Sequence, residues 1–256
     1  MVNVEGAQTL RRGLSVLRLL TRSGPGGLRM SEIGRRLGLN KSTANRLTRA
    51  LVDEGFVVFD AASGCCRLGP EAFAIGLAAE PSYVLQRMAA PILRQLAQES
   101  GDTVFFSVLH GYESICLSRD EGDFPIRNQL IKPGDRWPLG VGAGSCALLA
   151  ALSDKAIDEI LAVNAAIRLD RFPRCTDDAI RRLIDETRSR GYVVQPGLVL
   201  DESWAVGAAV YDIDQRPVAS ISIAALKSRL GPVRQKDLGE RILAASRELT
   251  QLQRSA

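Results

Sequence analysis

The run from Lys41 to Arg49 carries basic and hydroxyl side chains at a spacing that suits nucleic-acid binding. At 100° per residue, a helix over this run places Arg46 and Arg49 on one face, away from the apolar positions. A guanidinium one turn into such a helix, as at Arg46, matches the O6 and N7 acceptors of guanine. Lys41 and Thr43 lie at the helix start, where free backbone N–H groups also suit a phosphate. The pattern therefore predicts a helix that reads the major groove of double-stranded DNA.

A second group of residues has the features of a small-ligand site. The segment Pro138–Ser145 is rich in glycine and leads into a predicted helical run over 146–152, so it presents backbone N–H groups to an anion. The strand-like run Ala219–Ala224 alternates small or polar residues with isoleucine, so that one face packs and the other leaves space. Ser222 lies on the face that leaves space. Close packing is an equally good explanation for the glycines, and this alternative stays open.

The predicted reading helix belongs to a helix-turn-helix pattern over residues 31–51. Gly34 allows two helices to approach closely, Gly38 makes the turn between them, and Asn40 is a favourable N-cap for the second helix. Apolar side chains also fall where two steeply crossing helices must touch. These positions are Ile33, Leu37, Ala44, Leu47 and Leu51.

Two further elements complete a winged helix-turn-helix. A first helix is expected to bury Leu10, Leu14 and Leu17, with arginines on its opposite side. A β-hairpin, the wing, is expected over residues 55–69. Arg67 in this wing would enter the minor groove or contact a phosphate, and the alternative is that it is exposed without a function.

The basic charge of the chain is confined to its N-terminal quarter. The full sequence has 256 residues and a net charge of +4. Its first 69 residues contain 11 Lys or Arg and 5 Asp or Glu, a net charge of +6, whereas the other 187 contain 22 and 24. A small basic module joined to a larger, nearly neutral one indicates a polyanion-binding domain attached to a domain with another task.

Residue counts argue against several other classes of protein. The uncharged stretch 141–152 is too short to span a membrane, and arginines interrupt the apolar N-terminal run, so we expect a cytoplasmic protein without a secretory signal. The five cysteines include no CxxC pair, and His110 is the single histidine. We therefore expect no disulfide framework, no metal site and no cofactor.

A small-molecule enzyme is an alternative that the sequence only weakly supports. Cys146 or Ser145, near a predicted helix start, would act as the nucleophile and His110 as the base. No GxSxG motif surrounds Ser145, and no second histidine exists. We therefore expect no catalytic residues.

The rest of the chain predicts a linker helix and an α+β domain. Residues 70–100 have a helical pattern, with expected breaks at Pro81 and Pro91. Leu77, Val84, Leu85 and Met88 form an apolar stripe that suits self-association. Strands are expected over 103–109, 113–118, 192–195, 205–211 and 218–225, a polar loop over 119–123, and helices over 155–163 and 176–190.

With these elements in place, the chain resembles the IclR-type transcriptional regulators over essentially its whole length. The matching motifs of the N-terminal part are Gln8–Leu14, Lys41–Thr43 with Arg46–Leu47, and Leu68–Gly69. Those of the C-terminal part are Pro138–Leu139, Ala147–Ala150, Arg190–Tyr192 and Ile221–Ile223. The resemblance implies a winged helix-turn-helix over 1–69 and a linker helix over 70–90. It also implies an α/β effector-binding and oligomerisation domain over 91–256, with an antiparallel sheet of the GAF or profilin type.

The resemblance and the patterns together select candidate site residues. The candidate DNA-binding residues are Arg12, Arg29, Lys41, Ser42, Thr43, Asn45, Arg46, Arg49 and Arg67. The candidate effector-binding residues are Leu139, Gly142, Ala143, Gly144, Ser145, Gln195, Ala205 and Ser222. The loop departs from the family pattern, since Gly140 replaces a histidine and Ser145-Cys146 replaces a Gly-Lys pair. Gln195 and Ala205 replace an acidic residue and a cysteine, so no known family ligand is carried over.

The sequence thus predicts a DNA-binding regulator of a catabolic operon whose C-terminal domain senses a small organic effector, with an acid as one candidate class. A homodimer or tetramer on a near-palindromic operator is expected, because one basic domain makes too few contacts for specific binding. A regulator whose C-terminal domain only oligomerises remains the main alternative.

Overall fold

The computed structural model describes residues 7–79, 84–126 and 130–254. The chain divides into two compact units, Met1–Tyr83 and Val84–Ala256, here called the head and the body. The head contains a winged helix-turn-helix and the body an α/β fold with an antiparallel sheet. The predicted fold class is therefore confirmed.

The described part of the head comprises four helices and a small antiparallel sheet in the order β1-β3-β2. Strands β2 and β3 form the predicted wing hairpin, and β1 adds a short third strand. The elements are α1 (Gln8–Leu20), β1 (Leu28–Arg29), α2 (Met30–Arg36), α3 (Lys41–Asp53), β2 (Val57–Asp60), β3 (Cys65–Leu68) and α4 (Pro70–Ala79).

Local sequence signals explain the helix-turn-helix. A Cβ at position 34 would lie 3.2 Å from that of Ala44, so Gly34 sets the close approach of α2 and α3. Gly38 has φ +63°, a left-handed conformation that favours glycine in the turn. Asn40 caps α3 by accepting a hydrogen bond from the Thr43 N–H at 2.8 Å. Each of the three predicted roles is confirmed.

The predicted buried face of α1 is wrong. Val16 and Leu20 are buried, whereas Leu10 and Leu14 are 65% and 42% exposed. Leu17 is only partly buried against the same core. Apolar side chains cover much of this helix, so two stripes have helical spacing, and periodicity alone does not determine which one packs against the head.

The predicted linker helix over 70–90 falls on two helices. Helix α4 ends at Ala79, and α5 spans Val84–Ser100. The break expected at Pro81 lies outside the described residues. Of the predicted apolar stripe, Leu77 is exposed in α4, whereas Leu85 and Met88 of α5 pack against the core of the body.

The break expected at Pro91 is wrong, because α5 continues through this residue to Ser100. A proline inside a helix removes one backbone hydrogen bond, here to the carbonyl of Arg87. Arg87 and Pro91 both lie on the exposed side of the helix, where that carbonyl has access to water. The loss is therefore tolerated.

Six antiparallel strands form the sheet of the body, in the order β6-β5-β4-β9-β8-β7. The strands are β4 (Thr103–His110), β5 (Glu113–Glu121), β6 (Arg136–Pro138), β7 (Val193–Leu200), β8 (Ser203–Tyr211) and β9 (Pro217–Leu226). The remaining helices are α6 (Ala143–Ala150), α7 (Asp154–Arg171), α8 (Asp177–Arg190) and α9 (Pro232–Arg254).

Alternation along β9 divides the sheet into two faces. Ile221 and Ile223 are fully buried in a core with α5 and α9. Ser220 and Ser222 point to the other face, against α6, since a Cβ on Gly144 would lie 2.9 Å from Ser220 Oγ. The predicted packed face and small polar face are both present.

Several elements extend beyond their predicted ends, and β7, expected to end at 195, runs to Leu200. The loop expected over 119–123 is wrong in part, because β5 continues to Glu121 and pairs with β4 as far as Thr103. Arg119 and Glu121 pair with each other along this strand, so their charges are compatible with it. Helix α7 runs to Arg171, beyond the predicted end at 163.

Candidate nucleic-acid interface and ligand cavity

The reading helix α3 is anchored by its apolar side and presents its polar side to solvent. Ala44 and Leu47 are buried in the head. Asn40 Oδ1, which caps the helix, also accepts a hydrogen bond from Ser42 Oγ at 3.0 Å. The Ser42 hydroxyl is therefore engaged in the cap, although it still lies at the exposed start of the helix.

The basic residues predicted to bind DNA lie on the surface of the head. Five of them are exposed: Arg12 of α1, Arg29 of β1, and Lys41, Arg46 and Arg49 of α3. None of these five has a carboxylate of the described residues within ion-pair distance. Thr43 and Asn45 are partly buried on the same helix. These cations can therefore bind a phosphate without first breaking an ion pair within the described residues.

Other arginines of the head have intramolecular partners. Arg36 forms an ion pair with Glu32, and Arg35 lies 4.0 Å from the same carboxylate. In the wing, Arg67 lies 3.8 Å from Asp60 and donates to the Pro25 carbonyl at 3.5 Å. The pKa of Asp60 lies below its usual value, chiefly because the Ser63 hydroxyl donates to it. The charge of Arg67 is therefore partly neutralised by Asp60 of the same wing.

A cavity that opens in part to solvent lies between the first turn of α6 and the small polar face of the sheet. We call it the sheet cavity. Seven of the eight candidate effector residues line it: Gly142, Ala143, Gly144, Ser145, Gln195, Ala205 and Ser222.

The eighth candidate, Leu139, does not line the cavity, and this prediction is wrong. Its side chain is fully buried in a core with Leu148, Leu149 and Ile180. Strand β6 ends just before Leu139, and the backbone then turns through Gly140 at φ +93°. The turn directs Leu139 towards the helices, while Trp137 forms the cavity wall.

Helix α6 begins three residues earlier than predicted. Cys146 N–H donates to the Gly142 carbonyl at 2.9 Å, so it is not free for an anion as expected. Ser145 Oγ donates to the Val141 carbonyl, so its hydroxyl proton is also engaged. The N–H groups of the first turn that precede Cys146 have no carbonyl four residues earlier within the helix, so they are the remaining donors.

The loop glycines serve close packing as well as bordering the cavity. A Cβ on Gly144 would lie 3.2 Å from Ser222 Oγ, and one on Gly207 would lie 2.8 Å from the Ala143 backbone. Gly142 has φ +82°. A larger residue at position 144 would therefore press on β9, so replacement of Gly144 is not a clean way to block the cavity.

Two polar side chains of the cavity carry unused hydrogen-bonding capacity. Gln195 is 4% exposed, and its Nε2 has no hydrogen-bond partner among the described residues. Asp135 Oδ2 accepts from the Lys132 N–H at 2.8 Å. Burial first, and then the Asp135 charge, raise the pKa of the Cys116 thiol to about 12, so this wall thiol is protonated at neutral pH.

Several cavity residues were missed from the sequence. Phe105 of β4 pairs with Ser222 of β9, so its place follows from that register, which the sequence alone does not determine. Asp135 and Trp137 arrive through the pairing of β6 with β5 at the sheet edge. The one available signal was the aromatic residue next to the Pro-Leu motif, at Trp137.

The groups required by the enzyme alternative do not have the properties of a nucleophile and its base. Cys146 is fully buried, and burial raises the pKa of its thiol to about 12. His110 lies exposed at the end of β4, as expected for a residue that ends a strand. Within residues 7–79, 84–126 and 130–254, no group of His, Cys, Asp or Glu side chains could hold a metal ion.

No helix in the described ranges is both long enough and apolar enough to cross a bilayer.

Comparisons with known proteins agree with this architecture. Residues 9–61 match the family model described as the IclR helix-turn-helix domain, and residues 81–251 match that of the bacterial transcriptional regulator IclR C-terminal domain. The chain is 32% identical over 251 residues to the HTH-type transcriptional repressor AllR of Klebsiella pneumoniae, covering 96% of this chain and 90% of that protein.

The chain is also similar to a second curated protein, and its fold is similar to that of a solved structure. The glycerol operon regulatory protein of Streptomyces coelicolor is 32% identical over 245 residues, which is 94% of this chain and 92% of that protein. The crystal structure of an IclR transcriptional regulator from Alicyclobacillus acidocaldarius superposes with a TM-score of 0.81 at 22% identity, covering 98% of this chain and all of that one.

Proposed function

The chain belongs to the IclR family of bacterial transcriptional regulators, and we propose that it acts in the cytoplasm to control a catabolic operon in response to a small organic effector, not as an enzyme. The observation that carries the proposal is the capped helix α3 with Lys41, Arg46 and Arg49 exposed and unpaired among the described residues. Its similarity to a glycerol operon regulatory protein favours control of a metabolic operon.

In the proposed DNA complex, α3 lies in the major groove. Arg46, one turn from the helix start, donates to a guanine edge, and Lys41 and Thr43 contact phosphates. Asn45 and Arg49 extend the contact along the groove. Arg12, Arg29 and Arg67 bind the backbone on either side, which positions the helix without reading sequence.

A dimer or tetramer is part of the proposal. No residue of α4 is buried in the head, although the helix is largely apolar and Phe73 is 70% exposed. Leu10 and Leu14 of α1 are also exposed. Exposed apolar helices of this kind are typical of surfaces that a second copy covers. The operator would then be a near-palindrome, with one half-site for each head.

We further propose that the sheet cavity holds the effector. The buried Gln195 amide favours this over a body that only oligomerises, because an unsatisfied donor costs free energy unless a ligand or water accepts from it. The first-turn N–H groups of α6 offer further donors, so a carboxylate or another acceptor group fits this end.

Selection of genomic fragments by the purified protein, followed by footprinting, tests the DNA-binding half of the proposal. We expect a protected near-palindrome and, by light scattering, at least a dimer. Equal retention of scrambled fragments, or a monomer both with and without DNA, would contradict it.

A further inference from the structure

The sheet cavity has one wall that offers hydrogen-bond donors. Ser222 of β9 and Gln195 of β7 lie on this wall, beside the first turn of α6. Gln195 is 4% exposed, and its Nε2 has no partner among the described residues. Because these groups donate, they suit a carboxylate or carbonyl oxygen.

The opposite edge of the sheet supplies an acceptor. Asp135 immediately precedes β6, whereas Gln195 belongs to β7, and β6 and β7 are the two edge strands. One Asp135 oxygen accepts from the Lys132 N–H at 2.8 Å, and its other oxygen accepts no hydrogen bond from the described residues. No arginine or lysine of those residues lies within ion-pair distance of it. This carboxylate therefore repels a second acid and attracts a donor.

We propose that the effector is a small acid with a hydroxyl or ammonium group at its far end, held between the Gln195 wall and Asp135. The apolar side chains of Phe105, Trp137 and Val199 also line the cavity and would contact its carbon chain. This inference rests on the proposed role of the sheet cavity and adds the chemical class of its ligand.

Four five-carbon probes test the inference, because they share the chain and one carboxylate: pentanoate, 5-hydroxypentanoate, 5-aminopentanoate and glutarate. The chain has two tryptophans, and a Trp204→Phe background leaves Trp137 in the cavity wall as the single fluorescent reporter. We expect at least one of the hydroxy and amino acids to bind about tenfold more tightly than pentanoate, and glutarate to bind more weakly than pentanoate.

Asp135→Asn is the decisive variant, since the amide oxygen still accepts from the Lys132 N–H while the charge is removed. It should reduce the preference for the hydroxy or amino acid and improve glutarate binding. Asp214→Asn is the matched control, because Asp214 pairs with Arg216 in the exposed turn between β8 and β9, and it should keep the wild-type ranking. Thermal unfolding without probe establishes that each variant is folded.

The outcomes separate the two proposals. If pentanoate and glutarate bind at least as tightly as the hydroxy and amino acids, or if Asp135→Asn leaves the ranking unchanged, the inference about ligand class is overturned while the cavity keeps its proposed role. If none of the four probes changes Trp137 fluorescence up to its solubility limit, the inference is also overturned, and the cavity loses support as the effector site.

Discussion

The head and the body use their arginines differently. In the head, Arg46 and Arg49 are exposed and have no carboxylate partner among the described residues. In the body, Arg229 and Arg234 both bind Asp102, which is 5% exposed, at 3.0 and 2.7 Å. Arg229 and Arg234 thus connect elements of the body, whereas Arg46 and Arg49 of the head are available to an anionic partner.

Each unit contains a buried polar atom without a hydrogen-bond partner among the described residues, and the surroundings of the two atoms differ. Thr48 Oγ1 lies on the buried side of the reading helix α3, whereas Gln195 Nε2 lies at the sheet cavity. Both atoms lack a hydrogen bond within the described residues and both reduce the free energy of unfolding. The sheet cavity offers room for a ligand that restores the bond to Gln195 Nε2.

The largest expected difference between the two units is the effect of salt concentration on their binding affinities. If the dimer contacts six or more phosphates, operator affinity should fall on the order of 10³-fold between about 50 and 200 mM salt, because bound cations are released from DNA. Binding of a small ligand in the sheet cavity should change far less over this range. Fluorescence titrations of both interactions in the same buffers provide the measurement, and an operator affinity insensitive to salt would contradict the role of the head.

Arg46→Ala tests whether the exposed arginines of the head have distinct roles. It should cost about 1 to 3 kcal/mol of binding to the selected operator and relax the preference over scrambled DNA. Arg12→Ala is the matched control, and it should weaken both DNAs alike. Competition assays between operator and scrambled DNA measure this preference. If Arg46→Ala keeps the selectivity of the wild type, Arg46 does not read a base.

A pair of shape-conserving substitutions compares the two unpartnered atoms. Gln195→Met and Thr48→Val should each raise the free energy of unfolding by about 1 kcal/mol, because each removes an unsatisfied buried group. Urea unfolding followed by circular dichroism measures this. Only Gln195→Met should weaken ligand binding in the cavity, and a loss of ligand binding in Thr48→Val would show that the readout is not specific.

The head could be predicted closely where several local signals coincide. Gly34, Gly38 and Asn40 each act within one turn or one helix contact, so their roles follow from residue type and spacing. The buried face of α1 was not predictable in the same way. Leu10 and Leu14 have the same periodicity as Val16 and Leu20, and only the packing in three dimensions distinguishes them.

The cavity could be predicted in part. Ser222 and the glycine loop were found because alternation and glycine content are local properties. Asp135 was missed because it reaches the cavity through strand pairing at the sheet edge, which depends on contacts far apart in sequence. Leu139 was placed wrongly because its motif lies beside the cavity, while the turn at Gly140 directs its side chain into the core.

If the cavity of the body regulates DNA binding by the head, a ligand of the cavity must change the affinity of the protein for its operator. A compound that changes Trp137 fluorescence should shift the wild-type Kd for the operator about fivefold or more. Gln195→Met should bind the operator as tightly as wild type without the compound and show no shift with it. An equal shift in both proteins would show that the compound does not act through Gln195 in the sheet cavity.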